Sequence, residues 1–168
     1  MATAEDWANG FLRQARVELD ASRADVTESV RAMLPQMAYE KIAKAALLRS
    51  GQWTVELAQT THLGASHMMQ LLCNRRLREQ LSVLEGRLRN SLKPLVDELE
   101  GLQPKVARDR GRTSGPWLEY PWEAPKGVTT PAESLPNLER YGARRAPTVR
   151  LLTDFAAELI EKHEQLFG

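Results

Sequence analysis

The run Arg140-Tyr141-Gly142-Ala143-Arg144-Arg145 is the stretch of this chain best equipped to hold a ligand. Guanidinium forks match phosphate oxygens in pairs, and a tyrosine ring can stack on a base. The run also precedes a terminal amphipathic stretch, whose helix N-terminus would offer unpaired amides and a positive dipole end to an anion. Arg140, Tyr141, Arg144 and Arg145 are therefore candidate ligands for phosphate, a nucleotide or RNA. The same residues also admit a structural reading: Arg140 pairs with a nearby acid, Tyr141 plugs the edge of the core, and the remaining arginines are solvated. Lys41 and Lys44 lie three apart, which makes them neighbours on a helix. They are further cationic candidates, unless they only carry their ammonium groups out to water.

Other chemistries find little support. His62, His67 and Cys73 lack the tight paired spacing of a structural zinc site, which needs about four ligands, and read as core or capping residues. Cys73 sits in Leu71-Leu72-Cys73-Asn74, an apolar setting where a thiol behaves as a small hydrophobe. Gly10, Gly51, Gly64 and Gly86 stand alone, so neither phosphate-loop fingerprint is present. The adjacent acids Glu5/Asp6 and Asp97/Glu98 point to different sides of a helix and read as solvated. No metal, cofactor or catalytic residue is expected.

The elements that must position these residues are helices. Trp7, Phe11, Ala15, Leu19, Ser22, Val26, Val30 and Met33 recur at steps of three and four, one stripe along a helix of about seven turns. Pro35 is expected to end it, because proline lacks an amide and clashes with the preceding turn. A second helix over about 36–50, closed by Gly51, is apolar on most sides and belongs at the centre. A loop over roughly 51–64 leads to a third helix capped by Ser66. Leu77, Leu81, Leu84, Leu88, Leu92, Leu95, Leu99 and Leu102 form a continuous helical stripe, with a kink or restart near Lys93 imposed by Pro94. A last helix over about 148–166 shows Val149, Leu152, Ala156, Leu159, His163 and Leu166 on one face. No strand-like alternation is evident.

Residues 104–147 hold seven of the nine prolines. Such long segments are usually functional or disordered, but Trp117, Leu118, Tyr120 and Trp122 argue for burial. They read as an ordered excursion packed on the bundle or on a partner, with Trp117, Tyr120 and Trp122 as the partner-binding candidates. The whole chain, 1–168, is one all-α domain, an up-and-down bundle of four to five helices with this excursion before the last.

With 42% apolar and 27% charged residues and a net charge of +1, the composition is globular and does not advertise a polyanion partner. Charge is nevertheless uneven. Residues 74–93 carry six cations against two acids, and residues 151–168 four acids against one lysine; the plainest reading is two solvated helix faces. One cysteine excludes an internal disulfide and suits a reducing cytoplasm. Apolar runs are too short to span a bilayer, and the acidic start is wrong for a secretory signal.

Three segments carry a family resemblance. In order they are Trp7-Ala8-Asn9-Gly10-Phe11-Leu12-Arg13-Gln14-Ala15, the Ala-rich stretch from Met37 through Lys41 and Lys44 to Gly51, and Ala65-Ser66-His67-Met68-Met69-Gln70-Leu71-Leu72. Together they resemble the HEPN family, small all-helical proteins associated with nucleotides and RNA. The resemblance covers roughly residues 7–72 and, more loosely, Arg140-Tyr141 and the terminal helix. It implies a bundle that usually dimerises and a place in a toxin–antitoxin, defence or nucleotidyltransferase system. A small nucleotidyltransferase or an antitoxin would then be the partner. Many members are metal-independent ribonucleases that use an arginine followed, after four to six residues, by a histidine, which moves a proton while the arginine steadies phosphate charge. Here Val55, Glu56 and Leu57 precede His62, Thr60, Thr61 and His62 precede His67, and Ala156, Ala157 and Glu158 precede His163. The motif is missing, so the expectation is a binding or interaction module. The alternatives are a divergent ribonuclease toxin that brings His67 to Arg140 or Arg144, and a structural bundle that docks a protein through its aromatic arm.

Overall fold

The computed structural model describes residues 2–83, 85–103, 111, 122–125, 127–135 and 138–168. The chain is all-α. Its long elements are α1 (Ala4–Ser22), α2 (Glu28–Arg49), α4 (Ala65–Leu72), α7 (Lys93–Gly101) and α10 (Pro147–Glu161). Shorter turns of helix join them: α3 (Val55–Thr60), α5 (Arg75–Arg78), α6 (Glu85–Arg87), α8 (Pro131–Ser134), α9 (Leu138–Gly142) and α11 (His163–Phe167). Among the described residues the only β-structure is an antiparallel ladder of β1 (Trp122–Ala124) and β2 (Gly127–Thr129), with Ala124 opposite Gly127. Three-residue strands are too short to produce a legible alternation, and the ladder lies within the proline-rich excursion. No helix among the described residues is long and apolar enough to cross a membrane.

The central helix is α2, buried on most sides and packed against α1, α4, α7, α9, α10 and α11. Its alanines explain the close fit: Ala8 of α1 packs with Ala45, Leu48 and Ala58, and Ala15 with Ala38, Ile42 and Ala46 in the main core. Gly51 closes α2 as anticipated. It holds φ +68, and the Gln52 and Gly51 amides donate to the Leu47 and Leu48 carbonyls at 3.0 Å each, the double bond that satisfies a helix's last carbonyls.

The first break falls at residues 23–27 instead of Pro35, which lies buried inside α2. A proline there costs about 3 kcal/mol in lost bonding, and the helix is held through it by burial on both sides. The break itself is fastened by Arg31. This residue is 5% exposed, and its guanidinium donates to the carbonyls of Ser22 (3.2 Å), Ala24 (3.0 Å), Val26 (2.9 Å) and, from the far end of the chain, Gly142 (2.9 Å).

Two further expectations shift. Gly64, not Ser66, caps α4; the Ser66 amide and hydroxyl both donate to the buried Glu100 carboxylate, at 3.2 and 2.5 Å. The leucine stripe is not helical throughout, because residues 79–83 bend. There the last helices take over the bonding: Ser82 N–H donates to Glu158 (2.6 Å), and Lys162 Nζ to the Gln80 carbonyl (2.9 Å). Pro94 produces its kink as a π-helical turn, Leu88–Leu92, immediately ahead of α7. The predicted face of the last helix is buried throughout, with a break at Lys162 separating α10 from α11.

His163 is wholly buried on that face. Arg49 donates to its Nδ1 at 2.9 Å, and its Nε2–H faces the Ile42 carbonyl at 3.3 Å. Burial pushes its pKa from 6.5 down to about 4, so the ring stays neutral in the folded chain while the unfolded chain protonates it below 6.5. Stability is therefore intact above pH 6.5 and falls as the pH drops toward 4. Between pH 7 and pH 5 the loss from this residue is about 2 kcal/mol. Urea midpoints measured across that window should fall in the parent and stay nearly flat in His163→Gln; equal slopes would remove the assignment. Gly142 yields a second expectation. A Cβ there would lie 2.2 Å from the Glu28 backbone carbonyl oxygen, so Gly142→Ala must pry α9 from the start of α2, at about 3 kcal/mol. Urea unfolding should show a lowered midpoint with an unchanged slope; a midpoint equal to the parent's would show that the two helix ends separate freely.

Candidate anion-binding site

The six cationic and aromatic candidates part company in space. Lys41 pairs with the buried Glu18 of α1 at 2.7 Å. Lys44 pairs with Glu40 at 2.8 Å and lies 5.5 Å from the centre of the Phe11 ring. Both lysines thus fasten α1 to α2 and are largely shielded from solvent. Arg140 sits 3.6 Å from Glu98 and over the Tyr141 ring at 5.4 Å. Tyr141 is 2% exposed and belongs to the core cluster, so its ring does not face solvent. Its hydroxyl is buried beside the Glu98 carboxylate, and burial, reinforced by that neighbour, holds the phenol above its usual pKa. Trp117 and Tyr120 lie outside the described residues, as does the side chain of Trp122.

Arg144 and Arg145 remain. Both are exposed, and neither makes an ion pair among the described residues. They occupy the link between α9 and α10, and Arg144 lines a cleft of about 310 Å³ together with Arg23, Arg31 and Arg150. Val149 also lines it, from the first turn of α10. That turn opens on Pro147 behind an Ala146 that offers no side-chain cap, so the amides of Thr148 and Val149 have no helical acceptor. Arg23 and Arg150 hold surface pairs with Asp20 (3.3 Å) and Asp154 (3.5 Å), but no carboxylate lines the cleft itself. Its two hydroxyls are already used: Ser22 donates to the Leu19 carbonyl (2.6 Å) and Thr153 to the Arg150 carbonyl (3.1 Å). The charge of the residues that line the cleft suits it to attract an anion.

Sequence reading singled out only Arg144 of these four. A signal for Arg31 did exist, since the end of α1 leaves carbonyls that need donors; it could be found only by placing the helix break at 23–27.

A second polar locus lies between α2, α4 and α7. His62 Nδ1 stands 3.0 Å from Glu40, and the neighbouring cavity, bordered by Gln36 and Glu100, holds about 10 Å³. Burial alone would raise the Glu40 carboxyl; hydrogen bonds from His62 and Lys44 outweigh it and leave the group below its usual value. The space accommodates about one water molecule, too little for a substrate. Among the described residues no three His, Cys, Asp or Glu side chains converge as metal ligands. Nor does His62, His67 or His163 bond to Arg140, Arg144 or Arg145 within the chain: His62 faces Glu40, and His163 faces Arg49 and Ile42. No family model, curated protein or solved structure matches the chain.

Proposed function

We propose that this chain is a HEPN-like binding module that holds a nucleotide or RNA segment through the basic link between α9 and α10. On this reading it works as a cytoplasmic homodimer within a toxin–antitoxin, defence or nucleotidyltransferase system, with a small nucleotidyltransferase or an antitoxin as its protein partner. The observation that supports the reading is the state of Arg144 and Arg145. Most other cations singled out from the sequence are tied to an acid inside the fold, whereas these two stand exposed and unpaired beside unbonded helix amides. An electropositive rim of this kind draws phosphate and releases counterions, so binding weakens as salt rises.

The test is RNA and nucleotide binding by the full chain and by the Arg144→Ala/Arg145→Ala double variant. The double variant should bind at least tenfold more weakly, and its salt dependence should flatten by about one to two charges. Equal binding by the two proteins would remove the site. RNA turnover by the parent, abolished in the double variant, would replace the binding module with a ribonuclease.

A further inference from the structure

Arg31 is a buried cation without a counter-ion. Of the five N–H groups a guanidinium carries, four are spent on backbone carbonyls, and no carboxylate pairs with it among the described residues. Carbonyl dipoles at the end of α1 answer its hydrogen bonding and part of its charge. A full positive charge held this deep ordinarily demands a full negative one. Arg31 also lines the cleft together with Arg23, Arg144 and Arg150, and no carboxylate is among its lining residues; Asp20 and Asp154, which pair with Arg23 and Arg150, lie outside that lining.

We propose that the counter-ion is a ligand: the cleft binds a compact phosphomonoester, with its phosphate among Arg31, Arg144 and Arg150 and against the open amides at the start of α10. This rests on reading the α9–α10 link as a phosphate-binding surface, and narrows it from any phosphate to an end group. Two features select the monoester. The four arginines converge on one cleft, which suits the concentrated charge of about −1.5 to −2 on a monoester; a polymer of single-charge diesters is better served by cations spread along a groove. The volume of about 310 Å³ also lies at the small end of ligand pockets, about 300–1,000 Å³, enough for a phosphate on a small organic body.

Inorganic phosphate and adenosine 5′-monophosphate, titrated at constant ionic strength, supply the test. Readouts are the Arg31 Nε–H resonance by NMR and the thermal midpoint of the full chain. Both probes should shift that resonance saturably and raise the midpoint. Arg144→Ala and Arg150→Ala, both at exposed positions outside the core, should each weaken binding by roughly tenfold, while Arg76→Ala leaves it unchanged. Adenosine without phosphate should give no shift. Failure of both probes to shift Arg31, or binding unaltered in both arginine variants, overturns the proposal. An RNA oligonucleotide that binds through Arg144 and Arg145, but is indifferent to its 5′-phosphate and not displaced by inorganic phosphate, overturns it while leaving the broader reading intact. Absence of binding by any probe, oligonucleotides included, overturns both.

Discussion

One side chain ties three parts of the chain together. Arg31 reaches back to carbonyls at the end of α1 and in the turn that follows, and across to Gly142 at the end of α9. Helix ends and turns leave carbonyls that water cannot reach once packed, and each left unsatisfied costs about 1–3 kcal/mol. A guanidinium is suited to the task because its donors are fixed in a plane and directed outward, whereas an ammonium group could answer only three acceptors. The clasp sets where α1 stops, how α2 begins, and where residues 138–142 dock. Everything downstream on the site side, including the α9–α10 link, inherits its position from this contact.

The rest of the α1–α2 hairpin follows the same logic with carboxylates in place of carbonyls. Glu18 with Lys41, Glu40 with Lys44, and Glu5 with Arg49 form a series of ion pairs along α2, with His62 beside Glu40 and the neutral His163 accepting from Arg49. Such pairs add little stability when partly buried, because desolvation offsets most of the attraction, but breaking one partner leaves a stranded charge. The effect of the two that cross between the helices is therefore on alignment: a rotation of α1 against the alanine-rich face of α2 would separate Glu18 from Lys41 and Glu5 from Arg49 at once. The alanines allow the helices to approach, and the ion pairs select one way of doing so.

Much of the scaffold was legible because helical periodicity reports burial directly. The faces of α1 and of the terminal helices were read correctly, as were the Gly51 stop and the central place of α2. The errors share a cause. Pro35 carries a strong local signal for a helix end, yet the chain breaks earlier, where Arg31 supplies distant bonding that no window of sequence displays. Residues 79–83 match a leucine stripe, yet they bend because Glu158 and Lys162 bond their backbone from the other end of the chain. Ser66 looks like a cap and instead receives one, from Glu100. In each case a long-range polar contact overrode local pattern. The site divides in the same way: Arg144 could be found in the basic run, but Arg23, Arg31 and Arg150 come to it only through folding.

The place of the cleft follows from how a bundle ends its helices. Carbonyls gather where α1 and α9 stop, and amides gather where α10 starts, so donors and acceptors are sorted onto neighbouring surfaces. Arg31 spans the boundary. Its carbonyl bonds are a requirement of folding, and the same residue forms part of the cleft wall. A residue recruited to close a turn thereby places a buried charge in the wall of a cleft that exposed arginines also line. An anion held there would strengthen the same clasp that orders the chain, so binding and stability would rise together by the usual mass-action link. Arg140 and Tyr141, nearest to these residues in sequence, are engaged by Glu98 and the core and are not among the cleft's lining residues.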